Sequence, residues 1–393
     1  MKILLTSVLN PWESGHGGGQ VLTHDLAAAL ARRGHEITVG YSTRDPSVIP
    51  AGLPYATDNV RHTERVYLTP LKRALRVAKR GVGRWDIVHA QGLEGAFLSL
   101  ALKRACPLVT TSHHPDPPEL RVAPARWRPL ARMRWVWLHI AALLERRALI
   151  HADHVVCTSR HSEILLRSRG YLRSDARVTV VHSGVSVAGV EATAQRAHVL
   201  LCVARLDGHK GIDVLLQAIA RLGPETGLLE IYGEGLEEAR LKNLARSLGI
   251  EHRVSFRGRV ARGDVLARIA QAEVLVLPSR AENFPGVVLE AMALGTAIVA
   301  TNVGGIPEAV TSEREALLVE PNDPQALADA IGRLARSRDL RQELAANAFA
   351  RAREFTWERS ATKLEGLYQG LLHRPSTAAS NDPCGPASRD SER

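Results

Sequence analysis

The chain has 393 residues, more than one typical domain holds, so two domains of roughly 150–200 residues each are expected. A hydrophobic share of 45% with 23% charged residues is that of a soluble globular protein, which sets aside disordered and membrane-embedded classes. The net charge of +10 attracts anionic partners such as phospholipid head groups or phosphorylated ligands; with aromatics at only 4% and no recognised module, nucleic acid is not expected.

In chain order, "MKILLTSVLN" is too short for the core of a signal peptide and lacks a small-residue cleavage site; it fits a first core strand over 2–8. The stretch "SGHGGGQ" (14–20) follows, where glycines let backbone N–H groups approach a phosphate at a helix start or simply form a tight turn. It is not G-x-G-x-x-G, and the end of the second strand carries no acid for a ribose, so a nicotinamide-dependent oxidoreductase is disfavoured. Apolar spacing over 21–34 predicts a helix capped by Gly34. Further strands are predicted at 36–42, 86–91, 107–113, 154–159 and 177–184, alternating with helices as in a covered parallel sheet.

Within this half, segment 72–84 carries Lys72, Arg73, Arg76, Lys79, Arg80 and Arg84 without an acid. "TTSHH" (110–114) places His113 and His114 at the end of a strand, as structural residues or as a functional pair. The basic, Trp-bearing pattern over 126–149 suits either a core-packed helix whose arginines face water or an amphipathic helix on an anionic membrane. Its most apolar run, "WVWLHIAALL" (135–144), is too short to span a bilayer, so a cytoplasmic protein, peripheral on the inner membrane face at most, is expected. Cys106, Cys157, Cys202 and Cys384 form no CxxC pair and suit a reducing compartment.

After a linker near 186–197 the alternation restarts, with strands predicted at 198–206, 227–235, 253–258, 272–279, 297–305 and 316–321. "VARLDGHKG" (203–211) sets Arg205 and Lys210 in the loop after the first of these, as two surface cations or as partners of a leaving diphosphate. In "AENFPGVVLEAMALG" (281–295), Glu282 and Glu290 flank an Asn-Phe-Pro-Gly turn. A loop glutamate can grip sugar hydroxyls, a helix start near Pro285–Val288 offers N–H groups to phosphate, and Glu290 can accept two hydrogen bonds from a ribose diol. The alternative is a capping acid and a helix N-terminal acid, each favourable by about 0.3–1 kcal/mol. The final stretch, 374–393, is rich in Pro, Ser, Asp and Gly and is expected to be disordered.

Over about residues 1–372 the sequence resembles the retaining glycosyltransferases of family 4, which have the GT-B fold. The resemblance rests on "GGGQ", "TSHH", "CTSRHSE", "VHSGVSV", "LCVARLDGHKGIDVLLQAIA", "LEIYGEG" and "VSFRGRV", and above all on "LPSRAENFPGVVLEAMALGTAIVATNVGGIPEAV". It implies an α/β chain of two Rossmann-like, doubly wound domains facing across a cleft. The acceptor-side domain would span 1–190, with helices at 355–372 crossing back onto it; the donor-binding domain would span 191–354. It also implies transfer of a hexosyl group from a UDP- or GDP-sugar to a hydroxyl acceptor, lipid-linked or part of an envelope glycan. The alternative is a catalytically silent nucleotide-sugar binder of the same fold.

By position, the resemblance implies that Gly17 and Gly18 contact the diphosphate and that Arg205 and Lys210 neutralise it. Glu282 would hold the donor sugar, with Asn283 beside it and the backbone of Phe284, Pro285, Gly286 and Val287 against sugar and phosphate. Glu290 would bind the ribose, the backbone of Arg259 and Val260 the base, and His113 (or His114) would be the active-site histidine. Without a D-x-D motif, no metal and no other cofactor is expected. "HSGVS" (182–186) stands where the family usually has Asn-Gly-Val-Asp, Ala204 replaces a glycine, and "ENFPG" replaces the commoner Glu-Gly-Phe-Gly.

Overall fold

A computed structural model describes residues 1–7, 10–12, 18–61, 69–80, 82–102, 105–112, 129–187, 189–190 and 197–373. The expected tail at 374–393 lies outside these. The strands are β1 (Lys2–Thr6), β2 (Glu36–Gly40), β3 (Ser42–Thr43), β4 (Ala56–Thr57), β5 (Val60–Arg61), β6 (Ile87–Gln91), β7 (Leu108–Ser112), β8 (His154–Cys157) and β9 (Val178–Val180) in the first half. The second half has β10 (Ala197–Val203), β11 (Leu228–Tyr232), β12 (Val254–Gly258), β13 (Ala272–Leu277), β14 (Ala297–Thr301) and β15 (Leu317–Val319). The α-helices are α1 (Gly18–Arg32), α2 (Thr69–Arg80), α3 (Glu94–Leu102), α4 (Pro129–His151), α5 (Arg160–Ser168), α6 (Ile212–Arg221), α7 (Glu238–Ser247), α8 (Arg262–Gln271), α9 (Gly286–Ala293), α10 (Ile306–Ala309), α11 (Pro324–Arg336), α12 (Arg338–Ala352) and α13 (Trp357–Leu372).

These strands form two parallel main sheets, ordered β4-β2-β1-β6-β7-β8-β9 and β12-β11-β10-β13-β14-β15; β3 and β5 pair separately. In both, strand order reverses beside the first strand, between β1 and β6 and between β10 and β13. In doubly wound sheets, ligands collect outside the carboxyl ends at such switch points. The run "HVLLCV" shows why strands form here: Leu200 and Cys202 face one core with α6, α7 and α11, while Leu201 faces another with α8 and α9. Alternating side chains buried on both faces require a central strand covered by helices.

The first sheet is covered likewise. Ile3 and Leu5 pack with α1, and Leu4 packs with α2 and α3. The last of the described helices belongs to this half: Trp357, Ala361, Leu364, Tyr368 and Leu371 of α13 lie in the same core as Ile3 and α1. Buried His89 is held between Tyr368 Oη and Thr111 Oγ1, each at 2.6 Å, joining α13 to the sheet. Among the described residues no helix is long and apolar enough to cross a membrane.

Candidate functional site

The site is assembled where the loops after β10 and β13 meet. Gly211, at φ 64°, has no Cβ to collide with Pro278 O, which would lie 2.0 Å away. Arg280 N donates to His209 O at 2.7 Å, so the two loops run side by side. This brings Lys210 Nζ to 2.6 Å from Glu282 Oε1, which also accepts from Ser279 Oγ at 2.7 Å. The pair is largely buried, with side-chain exposures of 16% for Lys210 and 7% for Glu282. Behind Glu282 runs the loop after β14. Gly304 has φ 59°, and a Cβ there would sit 1.7 Å from Glu282 O, so the "GG" of "NVGGIP" lets two loops stack backbone to backbone.

The remaining donor-side positions lie around this pair. Arg205 follows β10, is exposed and bridges to Asp207 at 3.0 Å. Arg259 follows β12 and lies 3.6 Å from Glu234, while Val260 and Val287 pack on the C-terminal core. Pro285 caps α9, and Gly286 begins it, placing the helix's free N–H groups at the end of the Glu282 loop. One turn further in, Glu290 lies 3.3 Å from Arg262, and burial pushes its carboxyl up to about 7 although Arg262 opposes this.

Asn283 and Phe284 direct their side chains at the N-terminal half. The Asn283 amide donates to Thr158 Oγ1 at 2.8 Å and accepts from Ser159 Oγ at 2.7 Å and from Ser162 Oγ. Phe284 stacks on His182, centroids 4.7 Å apart, and packs against Phe355. Glu308 of α10 completes this contact, accepting from the N–H groups of Arg160 and His161 at the start of α5 and bonding His182 Nε2 at 2.9 Å. The pairing of His182 with Glu308 is not visible in a single sequence, because the two residues lie 126 positions apart. The "PE" of "GGIPEAV" and the His before "SGVS" were the visible traces.

On the N-terminal side, Gly18 opens α1 after β1. Gly17, His113 and His114 lie outside the described residues. The last residue of β7, Ser112, donates from Oγ to Glu145 Oε1 of α4 at 2.7 Å. Burial raises the Glu145 carboxyl to about 7 against that hydrogen bond. Glu145 thus sits beside the strand end that precedes His113, and sequence reading passed over it as one acid among arginines. Among the described residues no group of three or more His, Cys, Asp or Glu is placed to hold a metal ion.

Residues 16–188 match the family "Glycosyltransferase Family 4" and residues 189–351 match "Glycosyl transferases group 1". A D-inositol 3-phosphate glycosyltransferase of Actinosynnema mirum is 30% identical over 92% of this chain and 94% of its own. An MMP alpha-(1->4)-mannosyltransferase of Mycolicibacterium hassiacum is 32% identical over 77% of this chain and 74% of its own. Among solved structures, sucrose-phosphate synthase from Thermosynechococcus elongatus superposes with a TM-score of 0.79 at 24% identity, over 94% of this chain and 99% of that one. Anabaena HepE, in complex with UDP and glucose, superposes with a TM-score of 0.75 at 22% identity, over 94% of this chain and 100% of that one. Two family matches that share out residues 16–351, with relatives alike over most of their length and the two facing parallel sheets, establish that the chain belongs to glycosyltransferase family 4 and is a glycosyltransferase of GT-B fold.

Proposed function

We propose that the protein transfers a hexosyl group, with retention, from a UDP- or GDP-sugar to a hydroxyl acceptor. The observation that carries this reading is the Lys210–Glu282 pair, braced by Ser279 at the β10/β13 switch point and adjoining the start of α9. The relatives named as glycosyltransferases and the UDP bound by Anabaena HepE support the donor class.

In this reading the anomeric C–O bond breaks and negative charge grows on the departing diphosphate. Lys210, Arg205 and the first N–H groups of α9 meet that charge without a metal ion. Preorganised donors of this kind are each worth roughly 10²–10³ in rate. Glu282 accepts hydrogen bonds from the sugar and Glu290 from the ribose. The acceptor hydroxyl attacks from the face the leaving group vacates, and its proton passes to the departing phosphate oxygen. Domain contact excludes water from the cleft.

We place the acceptor at an anionic membrane surface. α3 packs between α2 and α4, and these helices expose Leu71, Leu75, Leu100, Val136, Ile140 and Leu143. Exposed Lys72 and Lys79 on α2 and Arg146 and Arg147 on α4 supply positive charge to complement acidic head groups.

A thermal-shift panel of UDP, GDP, ADP, TDP and NAD, each with and without magnesium, tests the donor. One diphosphate that stabilises the protein without metal is expected, followed by turnover of its sugar with the anomer of the product read by NMR. Stabilisation by NAD alone, or by none of the nucleotides, refutes the donor reading; an inverted product refutes the stereochemistry. Sedimentation with phosphatidylglycerol vesicles, lost in Leu75→Asp, tests the surface; equal binding by both proteins refutes it.

A further inference from the structure

Glu290 is not alone in its pocket. Arg262, the first residue of α8, lies with Nη2 3.3 Å from Glu290 Oε1 and donates from the same nitrogen to Ser186 O at 3.1 Å. Its Nη1 lies 3.8 Å from Asp25 Oδ2 on α1, which belongs to the N-terminal domain. One guanidinium therefore touches the C-terminal domain, the segment joining the two halves and the N-terminal domain. Arg262 also follows Val260 by two residues, so it adjoins the stretch expected to hold the base.

We propose that Arg262 is a positioning residue of the donor site: it orients the Glu290 carboxylate for the donor's ribose diol, and through Asp25 it ties that contact to the N-terminal domain. The inference rests on the donor reading above. Its chemical basis is that a carboxylate accepts both hydroxyl protons of a diol, whereas a protonated carboxyl has lost part of that capacity. Glu290 is buried, and burial favours the neutral form; a cation within about 4–6 Å favours the ionised one.

The two carboxylates compete for that cation. Burial raises Glu290 to about 7, Arg262 pulls it down and Asp25 pushes it up. Asp25 is raised by burial too, with Arg262, His24, Trp357 and Arg32 acting the other way. Among the described residues, several charged groups on neighbouring elements are engaged elsewhere. On α8, Arg268 binds Glu230 and Asp264 is exposed. Glu308 of α10 faces His182 and the start of α5, and Arg351 of α12 faces Thr311 and Glu315. Ribose recognition should thus be governed by three groups, one of them on the far domain.

The test compares dissociation constants of UDP with 2′-deoxy-UDP, and of GDP with 2′-deoxy-GDP, by calorimetry between pH 5.5 and 8.5. The ratio within each pair isolates the ribose contact, because phosphate and base titrate alike in both members. For the nucleotide that binds, the preference for ribose is expected to rise with pH through a midpoint near 7. In Arg262→Ala the midpoint should move up by about 1 pH unit or more, to the alkaline end of this range or beyond it, cutting the preference at pH 7 by roughly tenfold. Asp25→Asn should move it down, and Arg262→Lys should keep part of the wild-type profile.

An unchanged midpoint in Arg262→Ala, or an equal loss for both members of a pair at every pH, overturns the proposal. Should Arg262→Ala fail to fold, Asp25→Asn decides: a midpoint that stays put or rises refutes it. A wild type that binds neither UDP nor GDP refutes the donor reading itself, which is a different failure.

Discussion

Replacing Lys210 by Met separates the two roles of the Lys210–Glu282 pair. Lys210 Nζ lies 2.6 Å from Glu282 Oε1, and the same carboxylate oxygen also accepts from the Ser279 hydroxyl. Breaking a fully buried pair by removing one partner costs about 3–5 kcal/mol, because a charge is left uncompensated. The residual exposure of Lys210 gives water some access to the vacated side, and a loss of about 2 kcal/mol is expected. For a domain of 150–250 residues that lowers the melting temperature by about 4–8 °C. Adding Glu282→Gln removes the stranded charge, so the double variant should regain most of that stability. Activity should behave otherwise: Lys210→Met loses roughly 10²–10³ in turnover, and the double variant recovers none of it. Scanning calorimetry and steady-state turnover on the same three proteins check both. A double variant no more stable than the single one refutes the buried-pair argument, and turnover retained in Lys210→Met refutes the catalytic one.

Gly184→Ala places a Cβ 2.3 Å from Trp357 N, a backbone atom that cannot swing aside, so α13 must shift at a cost of about 1–3 kcal/mol. Hydrogen exchange should accelerate across 357–372; unaltered protection there refutes the packing account. Arg73, 2% exposed, pairs with Glu94, 1% exposed, and donates to Ser42 Oγ at 3.0 Å, so Arg73→Met should cost about 3–5 kcal/mol by urea unfolding. A midpoint equal to that of the wild type refutes this. Burial alone would raise the Glu308 carboxyl, but hydrogen bonds from His182 and from the N–H groups of Arg160 and His161 together hold it below its ordinary 4.5. Its contribution is therefore complete above pH 4.5 and lost as pH falls through the lower folded-state value. Glu308→Gln should be less stable than wild type at pH 7, with the gap closing toward pH 3; a gap independent of pH refutes the linkage.

What the sequence made legible was local. Runs such as "VLVLPS" and "LLCVAR" bury both faces of a strand, and their alternation with helical patterns dictates parallel sheets. The loop-then-helix arrangement of Glu282 and Glu290 was visible because both lie on one short segment. Contacts made by folding were not legible. Lys210 meets Glu282 across 72 positions, Asn283 meets Thr158 across 125, and Arg262 reaches Asp25 from another domain. Periodicity assigns each residue an element and a face but does not say which faces meet. Glu145 shows a second limit. Amid arginines it suggests a solvated helix acid, and only the placement of α4 against the end of β7 gives it Ser112 as a partner.

Asn283 shows how a departure from the family pattern acquires a physical meaning. A glycine, which the commoner motif has here, offers no side chain, whereas the Asn283 amide joins Thr158, Ser159 and Ser162 of the N-terminal domain. Ser159 also caps α5, accepting from Ser162 N at 3.1 Å, so the amide is fixed to a helix end rather than to a loose loop. Asn283 directly follows Glu282, whose own backbone is pressed against Gly304. Parting the domains would therefore pull on the residue next to the donor-side carboxylate and strain its pairing with Lys210. Domain contact and the geometry of Glu282 are mechanically one feature here, because consecutive residues of a single tight loop face opposite sides of the cleft.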